Sequence, residues 1–373
     1  MGRVERLELV KALQSKRKSK LITYVVGDRP NLTFQIAGDT PRLFYDHLIK
    51  LEKSPRIDLF LYSPGGDASV PWRIVTLFRE FCDELSVLVP FRAWSAATMI
   101  AIGADQIVMG RKGELGPIDP TVMSPFNPIH PVSRQPLSIN VEDVTAYISL
   151  LRDKVKLQDE TALEKAWESM PNQVNPLALG YVHRHQEHIR LVATKLLKAR
   201  RNPPSDEEAK LIVESLVEKM YFHGHGIGRA EAKDLGLPIE FADNEPEALM
   251  WNLYLDYERD MHLLEPFMPE DILEEHRTED YTIENIAGAY IESESHSDVA
   301  RGDVRIRASR QIPANVNISL NVQMPPGVDP NEVDPQRMQM IHQEVQRGVI
   351  EQIRRQSPIV GYDVRYRGRW QRE

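Results

Sequence analysis

The chain has 373 residues, of which 42% are hydrophobic and 27% are charged, and its formal net charge is −9. This composition excludes global disorder and allows either one large domain with additions or two domains. It also disfavours general binding to nucleic acid, and the single cysteine, Cys82, excludes a disulfide framework within the chain.

The first twenty residues are charged and contain no apolar signal core. The longest apolar stretch, residues 96–104, is far shorter than a membrane span. One cysteine fits a reducing compartment. We therefore expect a cytoplasmic protein without membrane contact, beginning with a basic arm or helix over residues 1–20.

Strand and helix patterns alternate from residue 21 onward. Thr40 and Pro41 are typical of a helix start, as N-cap and first helical residue. Apolar runs and helical spacing predict a strand over 21–26, a short strand over 33–37, a helix over 40–51, a strand over 56–62, a helix over 70–85, a strand over 86–90, a short helix over 96–104 and a strand over 106–109. Cys82 falls on the apolar side of the helix over 70–85 and is interpreted as a core residue. This alternation predicts parallel βαβ units with right-handed crossovers.

The remainder of the sequence divides by composition. A Pro-rich loop over 121–136 precedes helical patterns at 141–155, 161–170, 177–199, 205–220 and 229–235. Ser205 and Glu208 form a capping-box pattern. The predicted organisation is a basic arm (1–20), an α/β domain (21–265), an acidic linker (266–300) and an α+β extension with a basic tail (301–373).

Gly65 and Gly66 lie in the SPGGD loop, between the strand over 56–62 and the following helix. Two glycines at this point allow a positive-φ turn, and their backbone N–H groups can bind a developing oxyanion. A plain tight βα turn explains the same residues.

Ser95 lies in WSAA, just before the short apolar helix, with the small residues Ala96 and Ala97 after it. Serine is a favoured helix N-cap, which is the structural alternative to a nucleophile. Both loops follow strands of a predicted parallel sheet, so they are expected at its carboxyl edge, where α/β proteins bind ligands.

The segments SPGGDA, AWSAATMIAIGADQIVMG, GELGPIDP and HGHGIGRAEAKDLGLP resemble the serine-dehydrogenase-proteinase family over about residues 20–250. These are Clp-fold serine peptidases, related to ClpP and signal peptide peptidase A. The resemblance implies a ClpP/crotonase-like α/β spiral of ββα units with helical additions. It also implies a nucleophilic Ser95 and an oxyanion hole formed by the backbone of Gly66 and Ala96, helped by Gly65.

The family order Ser, Asp, His points to Asp119 as the orienting acid and to His223 as the base, with His225 as the next candidate. No histidine stands at the usual ClpP separation after the serine. The interval where signal peptide peptidase relatives carry a lysine has none, and Lys154 comes later as an alternative base or as part of a solvated helix face. The membrane segment of archaeal members is also missing.

Other histidine and arginine clusters favour simpler interpretations. His183, His185 and His188 are typical of a polar helix face, so no metal site and no cofactor are predicted. The Arg-rich tail, with Tyr362, Tyr366 and Trp370, is interpreted as solvated or as an oligomer contact rather than a nucleic-acid site.

The predicted function is hydrolysis of polypeptides by a serine endopeptidase. Peptidases of this fold assemble into rings, so a homo-oligomer is expected, with residues 301–373 at an interface or binding an unknown protein partner. Two alternatives remain open. One is a crotonase-like enzyme acting on acyl-thioesters, and the other is a non-catalytic scaffold in which Ser95 is only an N-cap.

Overall fold

The structure is a computed structural model. It describes residues 2–118, 121–122, 126–129, 139–140, 146–147, 149–157, 159, 161, 164, 175–217, 225–311 and 335–373. Asp119, His223 and residues 312–334 of the predicted α+β extension lie outside the described residues.

The helices are α1 (Arg3–Arg17), α2 (Thr40–Leu51), α3 (Val70–Arg79), α4 (Ala96–Ile102), α5 (Pro176–Lys198), α6 (Asp206–Val217), α7 (Arg229–Asp234), α8 (Asn244–Asp260), α9 (Pro269–Glu275) and α10 (Pro335–Gln356), with a π-helical turn at Leu150–Lys154. The strands are β1 (Lys20–Val26), β2 (Asp28–Arg29), β3 (Leu32–Thr33), β4 (Ser54–Tyr62), β5 (Cys82–Val89), β6 (Arg92–Ala93), β7 (Gln106–Met109), β8 (Glu114–Leu115), β9 (Thr121–Val122), β10 (Ile139–Asn140), β11 (Ile227–Gly228), β12 (Ile239–Phe241), β13 (Asp280–Glu292), β14 (Ser297–Arg310) and β15 (Ile359–Arg372).

The main sheet of the described chain has the strand order β12-β7-β5-β4-β1-β13-β14-β15. Strands β1, β4, β5, β7 and β12 run parallel to one another, and β13 pairs antiparallel with β1. The parallel arrangement confirms the predicted α/β fold class.

Two apolar cores cover the two faces of the sheet. In β4, Leu59 and Leu61 pack into the core under α2, α3 and α4, whereas Phe60 and Tyr62 pack into the core under α1 and α8. Because both faces are buried, the central strands are continuous apolar runs rather than alternating ones. The carboxyl ends of β4 and β5 therefore lead directly into the loops that carry the candidate site.

The chain divides into two compact units. One comprises residues 1–267, 285–302 and 368–373, and the other comprises residues 268–284 and 303–367. Among the described helices, none has both the length and the apolarity of a membrane span.

The acidic linker predicted over 266–300 is wrong, because this segment contains α9, β13 and the start of β14. β13 joins the main sheet by pairing with β1, with Tyr290 opposite Val25. Most of the carboxylates that suggested a linker precede β13 or lie in its first half, while residues 287–292 are buried. A prediction based only on the charge of this segment therefore missed a strand of the main sheet.

The first residues are a packed helix rather than a free arm. Arg6, Val10, Leu13 and Arg17 are buried, at the spacing of one face of α1. Two of these four positions are arginines, so the apolar pattern of this helix is weak in sequence.

The helix predicted over 70–85 ends early, because α3 stops at Arg79 and β5 begins at Cys82. Cys82 pairs with Ser54 of β4, so the main sheet determines where the helix ends. The Cys82 thiol donates to the Phe78 carbonyl oxygen at 3.4 Å. Burial raises its pKa to about 12, so the thiol is not ionised at neutral pH.

The predicted basic tail is also structured: residues 345–356 belong to α10, and residues 359–372 form β15 beside β14. Trp370 Nε1 donates to Asp39 Oδ2 at 2.9 Å. The arginines of this segment alternate with other residues along β15, which is the spacing of a strand with one exposed face.

Arg6 anchors α1 to the sheet through buried ion pairs. Its Nε lies 2.8 Å from Glu292 Oε2 and its Nη1 lies 3.3 Å from Asp256 Oδ2, and all three side chains are at most 5% exposed. The guanidinium also lies over the rings of Tyr257 and Tyr290. Burial opposes the charge of Arg6, yet the hydrogen bond with Glu292 raises its pKa above the usual value.

We predict that Arg6→Met lowers the free energy of unfolding by about 3–5 kcal/mol, because it removes the buried cation that pairs with two buried carboxylates. Urea denaturation at neutral pH measures this change. Lys16→Met is the matched control on the same helix: Lys16 pairs with Glu245 at 2.8 Å, but the two side chains are 48% and 62% exposed. It should change stability by less than about 1 kcal/mol. Equal effects of the two substitutions would contradict an anchoring role for Arg6.

Candidate active site

A small second sheet brings the motif-bearing segments together. Its strand order is β11-β8-β6, with Ile227 opposite Leu115 and Leu115 opposite Ala93. A parallel bridge joins Ala93 to Ser63 at the end of β4. The SPGGD, WSAA and GELG segments and the HGIGR segment that follows His223 therefore lie side by side, although more than 160 residues separate Ser63 from Ile227 in the sequence.

The Gly65–Gly66 turn packs against two other stretches of backbone. The φ angles of Gly65 and Gly66 are 112° and 147°, a region that favours glycine. A Cβ on Gly65 would lie 2.7 Å from Ser95 Cβ, and one on Gly66 would lie 2.4 Å from the backbone N and O of Ile36. Both glycines are therefore required by conformation and by space.

Ser95 has φ 51° and ψ −115°, outside the regions that non-glycine residues usually adopt. It occupies the N-cap position of α4, but its side chain makes no capping hydrogen bond. The hydroxyl is therefore not used for the structural role that explains a serine at this position. Ser95 is half-buried, so solvent can reach it.

Thr98 holds the first turn of α4 in place. Its Oγ1 lies 2.7 Å from the Ala93 carbonyl oxygen and 2.9 Å from the Gly116 carbonyl oxygen, and it accepts from Gly116 N–H at 3.0 Å. A Cβ on Gly116 would contact the Trp94 side chain at 2.9 Å. The serine turn is therefore supported on both sides by buried contacts.

The backbone N–H groups around Ser95 differ in their partners. Gly65 N–H donates to Ser63 Oγ at 3.0 Å, and the Gly65 carbonyl accepts from Ile36 N–H at 2.8 Å. Within the described chain, no acceptor is found for the N–H groups of Gly66 and Ala96. Gly65 therefore contributes close packing and turn geometry, while the two uncommitted donors belong to the residue that follows Gly65 and the residue that follows Ser95.

Of the three predicted candidates for the general base, the structure describes two, His225 and Lys154. His225 Nε2 lies 3.0 Å from Glu231 Oε1, and both side chains are more than 40% exposed. Lys154 ends the π-helical turn Leu150–Lys154 and is exposed. The structure thus gives His225 an acidic partner other than Asp119, and it records no contact of either side chain with Ser95 among the described residues.

Two further predictions concern metals and polar helix faces. His185 Nδ1 lies 3.1 Å from the Tyr181 carbonyl oxygen of its own helix, as expected for a helix face. Sequence reasoning missed a different cluster, His47, His296 and Asp298. His47 lies some 250 positions from His296 and Asp298 in the sequence, so only the fold reveals the cluster.

Residues 2–165 match the sequence model of the ClpP-like SDH-type serine proteinase family, which confirms the resemblance seen in the motifs. Two uncharacterized proteins of Methanocaldococcus jannaschii are similar to this chain. One is 26% identical over 281 residues (72% of this chain and 85% of the relative), and the other is 23% identical over 243 residues (63% and 72%). Among solved structures, two mutants of the 1510-N membrane-bound stomatin-specific protease, one of them in complex with a substrate peptide, are 18% identical with a TM-score of 0.34, covering 61% of this chain and 83% and 78% of theirs.

We predict that Gly66→Ala destabilises the protein by at least about 2 kcal/mol, because a positive φ at a non-glycine residue costs about 1–3 kcal/mol and the new Cβ adds a backbone clash. Thermal and urea denaturation measure the change. Gly228→Ala is the matched control, since its φ is −69° and nothing lies within 4 Å of the added Cβ. It should leave stability within about 1 kcal/mol of the wild type. A tolerated Gly66→Ala would contradict the close approach to Ile36.

Proposed function

Starting from the match of residues 2–165 to ClpP-like SDH-type serine proteinases, we propose that this protein is a serine endopeptidase with Ser95 as its nucleophile. One observation carries the proposal: Ser95 adopts a strained conformation at a strand-to-helix turn, makes no capping bond and packs against the glycine turn. A strained serine at such a turn also presents the nucleophile in α/β-hydrolases.

In the proposed reaction, Ser95 Oγ attacks the carbonyl carbon of the scissile peptide bond. The carbonyl oxygen becomes an oxyanion and accepts hydrogen bonds from the N–H groups of Gly66 and Ala96. Their lack of another acceptor in the described chain supports this role. Removing one such donor from a serine peptidase reduces kcat by about 10²–10³-fold, which is the scale of the contribution.

A general base must take the Ser95 proton and pass it to the leaving amine, after which water hydrolyses the acyl-enzyme. We propose His223 as this base and Asp119 as the acid that orients it, following the Ser, Asp, His order of the family. His225 stays the second candidate for the base, and its contact with Glu231 gives it an acid of its own. Lys154 remains the Ser–Lys alternative.

The remaining proposals concern substrate, assembly and location. The substrate class is a polypeptide, and the reaction needs no cofactor. We propose a cytoplasmic homo-oligomer, with residues 301–373 at an interface or recruiting a protein partner. Membrane contact and nucleic-acid binding form no part of the proposed function.

We predict that a fluorophosphonate probe labels the purified protein at Ser95, because an activated hydroxyl beside two free donors reacts with this transition-state mimic. Ser95→Ala should abolish labelling. Ser69→Ala is the matched control, since Ser69 also precedes a helix, is exposed and makes no capping bond. Labelling should be unchanged in this variant. If the folded wild type is never labelled, the peptidase proposal gives way to the non-catalytic scaffold or to the crotonase-like acyl-thioester enzyme. Binding of acyl-CoA distinguishes these two alternatives.

We further predict that His223→Gln slows fluorophosphonate labelling by about 10²–10⁴-fold, the usual contribution of a general base. His225→Gln and Lys154→Met should leave the labelling rate within a few-fold of the wild type. A rate series at neutral pH, with folding checked by circular dichroism, makes the comparison. A large loss in His225→Gln or Lys154→Met, with His223→Gln active, would reassign the base.

A further inference from the structure

A buried cluster of potential metal ligands lies outside the candidate active site. His47 comes from the middle of α2, and His296 and Asp298 come from the turn between β13 and β14 and from the start of β14. These side chains are 0%, 8% and 3% exposed. Their nearest ligand atoms all lie within 4.8 Å of one another.

The Nε2 atoms of both histidines face one carboxylate oxygen. His47 Nε2 lies 3.2 Å and His296 Nε2 lies 3.3 Å from Asp298 Oδ2. Neither Nε2 atom has a hydrogen-bond partner of acceptable geometry within the described chain. Two buried ring nitrogens without such a partner are unusual, since buried polar atoms are nearly always satisfied.

The other nitrogen of each ring is fixed by a serine. His47 Nδ1 lies 2.7 Å from Ser293 Oγ, and His296 Nδ1 lies 2.7 Å from Ser295 Oγ. The two hydroxyls also contact each other at 2.8 Å. Metal-binding histidines show this pattern, in which a second residue holds the ring nitrogen that does not bind the metal.

We propose that His47 Nε2, His296 Nε2 and Asp298 Oδ2 bind a divalent transition-metal ion of the zinc class. Bonds of about 2.0–2.1 Å in a tetrahedral site separate neighbouring ligand atoms by about 3.3 Å, which matches the two observed separations. Two imidazoles and one carboxylate suit zinc, cobalt or nickel rather than magnesium or calcium. A water molecule completes the site as the fourth ligand.

Two features of the structure must change when the ion binds. The imidazole rings are stacked, with centroids 3.7 Å apart and planes at 14°, so they tilt apart to direct both lone pairs at the ion. Arg372 contacts Asp298 through Nε to Oδ1 at 3.1 Å and Nη2 to Oδ2 at 3.2 Å. The Nη2 contact gives way to the ion, and the guanidinium keeps Oδ1.

The function of this ion is to fasten α2 to the β13–β14 turn, rather than to catalyse a reaction. Ser293, His47 and Asp298 lie in the order of a hydrolytic triad, but Ser293 is 3% exposed and His47 is fully buried. No substrate can reach this serine. The ligands therefore link two chain segments about 250 residues apart, as structural zinc ions do.

The test uses the full-length protein, freed of metal with a chelator and titrated with Co²⁺ and then Zn²⁺. We expect one equivalent of Co²⁺ to give visible d–d absorption that Zn²⁺ abolishes, together with a higher melting temperature in the presence of Zn²⁺. His296→Gln and Asp298→Asn should each weaken binding by at least about 10-fold. His262→Gln is the matched control, because His262 is exposed and contacts only Glu265 through its ring.

Arg372→Gln provides a second variant, which leaves all three proposed ligands in place. Its side chain is 51% exposed, and removing its positive charge should strengthen Co²⁺ binding several-fold. The proposal is overturned if the wild type binds no stoichiometric Co²⁺ or Zn²⁺, or if His296→Gln and Asp298→Asn bind as tightly as the wild type. If His296→Gln and Asp298→Asn fail to fold, the test rests on Arg372→Gln. A Co²⁺ affinity of Arg372→Gln that is unchanged or weaker than that of the wild type then overturns the proposal.

Discussion

The candidate site depends on the close approach of three stretches of backbone at Ile36, Gly65–Gly66 and Ser95. Ile36 N–H donates to the Gly65 carbonyl at 2.8 Å, and Asp67 N–H donates to the Ile36 carbonyl at 2.9 Å, which leaves Gly66 N–H outside both bonds. A side chain at Gly65 would separate the turn from Ser95, and one at Gly66 would separate it from Ile36. The glycine pair is therefore a packing requirement, because it allows the turn to approach both Ser95 and Ile36. Flexibility of the loop is not needed to explain it.

The rest of the fold keeps this arrangement rigid. Helix α4 is buried along its whole length, and Thr98 joins its first turn to β6 and to the residue after β8. The small sheet then continues from β8 to β11, so the segment that follows the predicted base is attached to the segment that follows the proposed nucleophile. A site whose parts are held by strands and a buried helix retains its geometry better than one built on loops alone. The hydrogen bonds of Thr98 are therefore part of the support of Ser95.

The sequence predicted the sheet-forming core and the two loops of the site, because buried parallel strands and a Gly-Gly turn leave strong local patterns. It did not predict β13, whose outer half is acidic and whose inner residue Glu292 is neutralised by Arg6 from the opposite end of the chain. The end of α3 was also misplaced, since pairing of Cys82 with Ser54 determines it. Ser95 was found by its motif, but only the structure shows its positive φ and the missing capping bond. The His47, His296 and Asp298 cluster left no local pattern at all. Each failure involves a long-range contact, which local propensity cannot encode.

The conformation of Ser95 separates a nucleophile from a structural N-cap. An N-cap serine has extended or near-extended backbone angles and uses its hydroxyl to bind a free N–H of the first turn. Ser95 has φ 51° and ψ −115° and makes no such bond, so the helix gains nothing from the hydroxyl. Glycine would adopt this conformation without the strain of about 1–3 kcal/mol that a side chain brings. The fold sustains that strain with the Ala97 N–H to Trp94 carbonyl bond at 2.9 Å and the Met99 N–H to Ser95 carbonyl bond at 3.0 Å. A strained, half-buried serine without a capping role supports the proposal that its hydroxyl is the nucleophile.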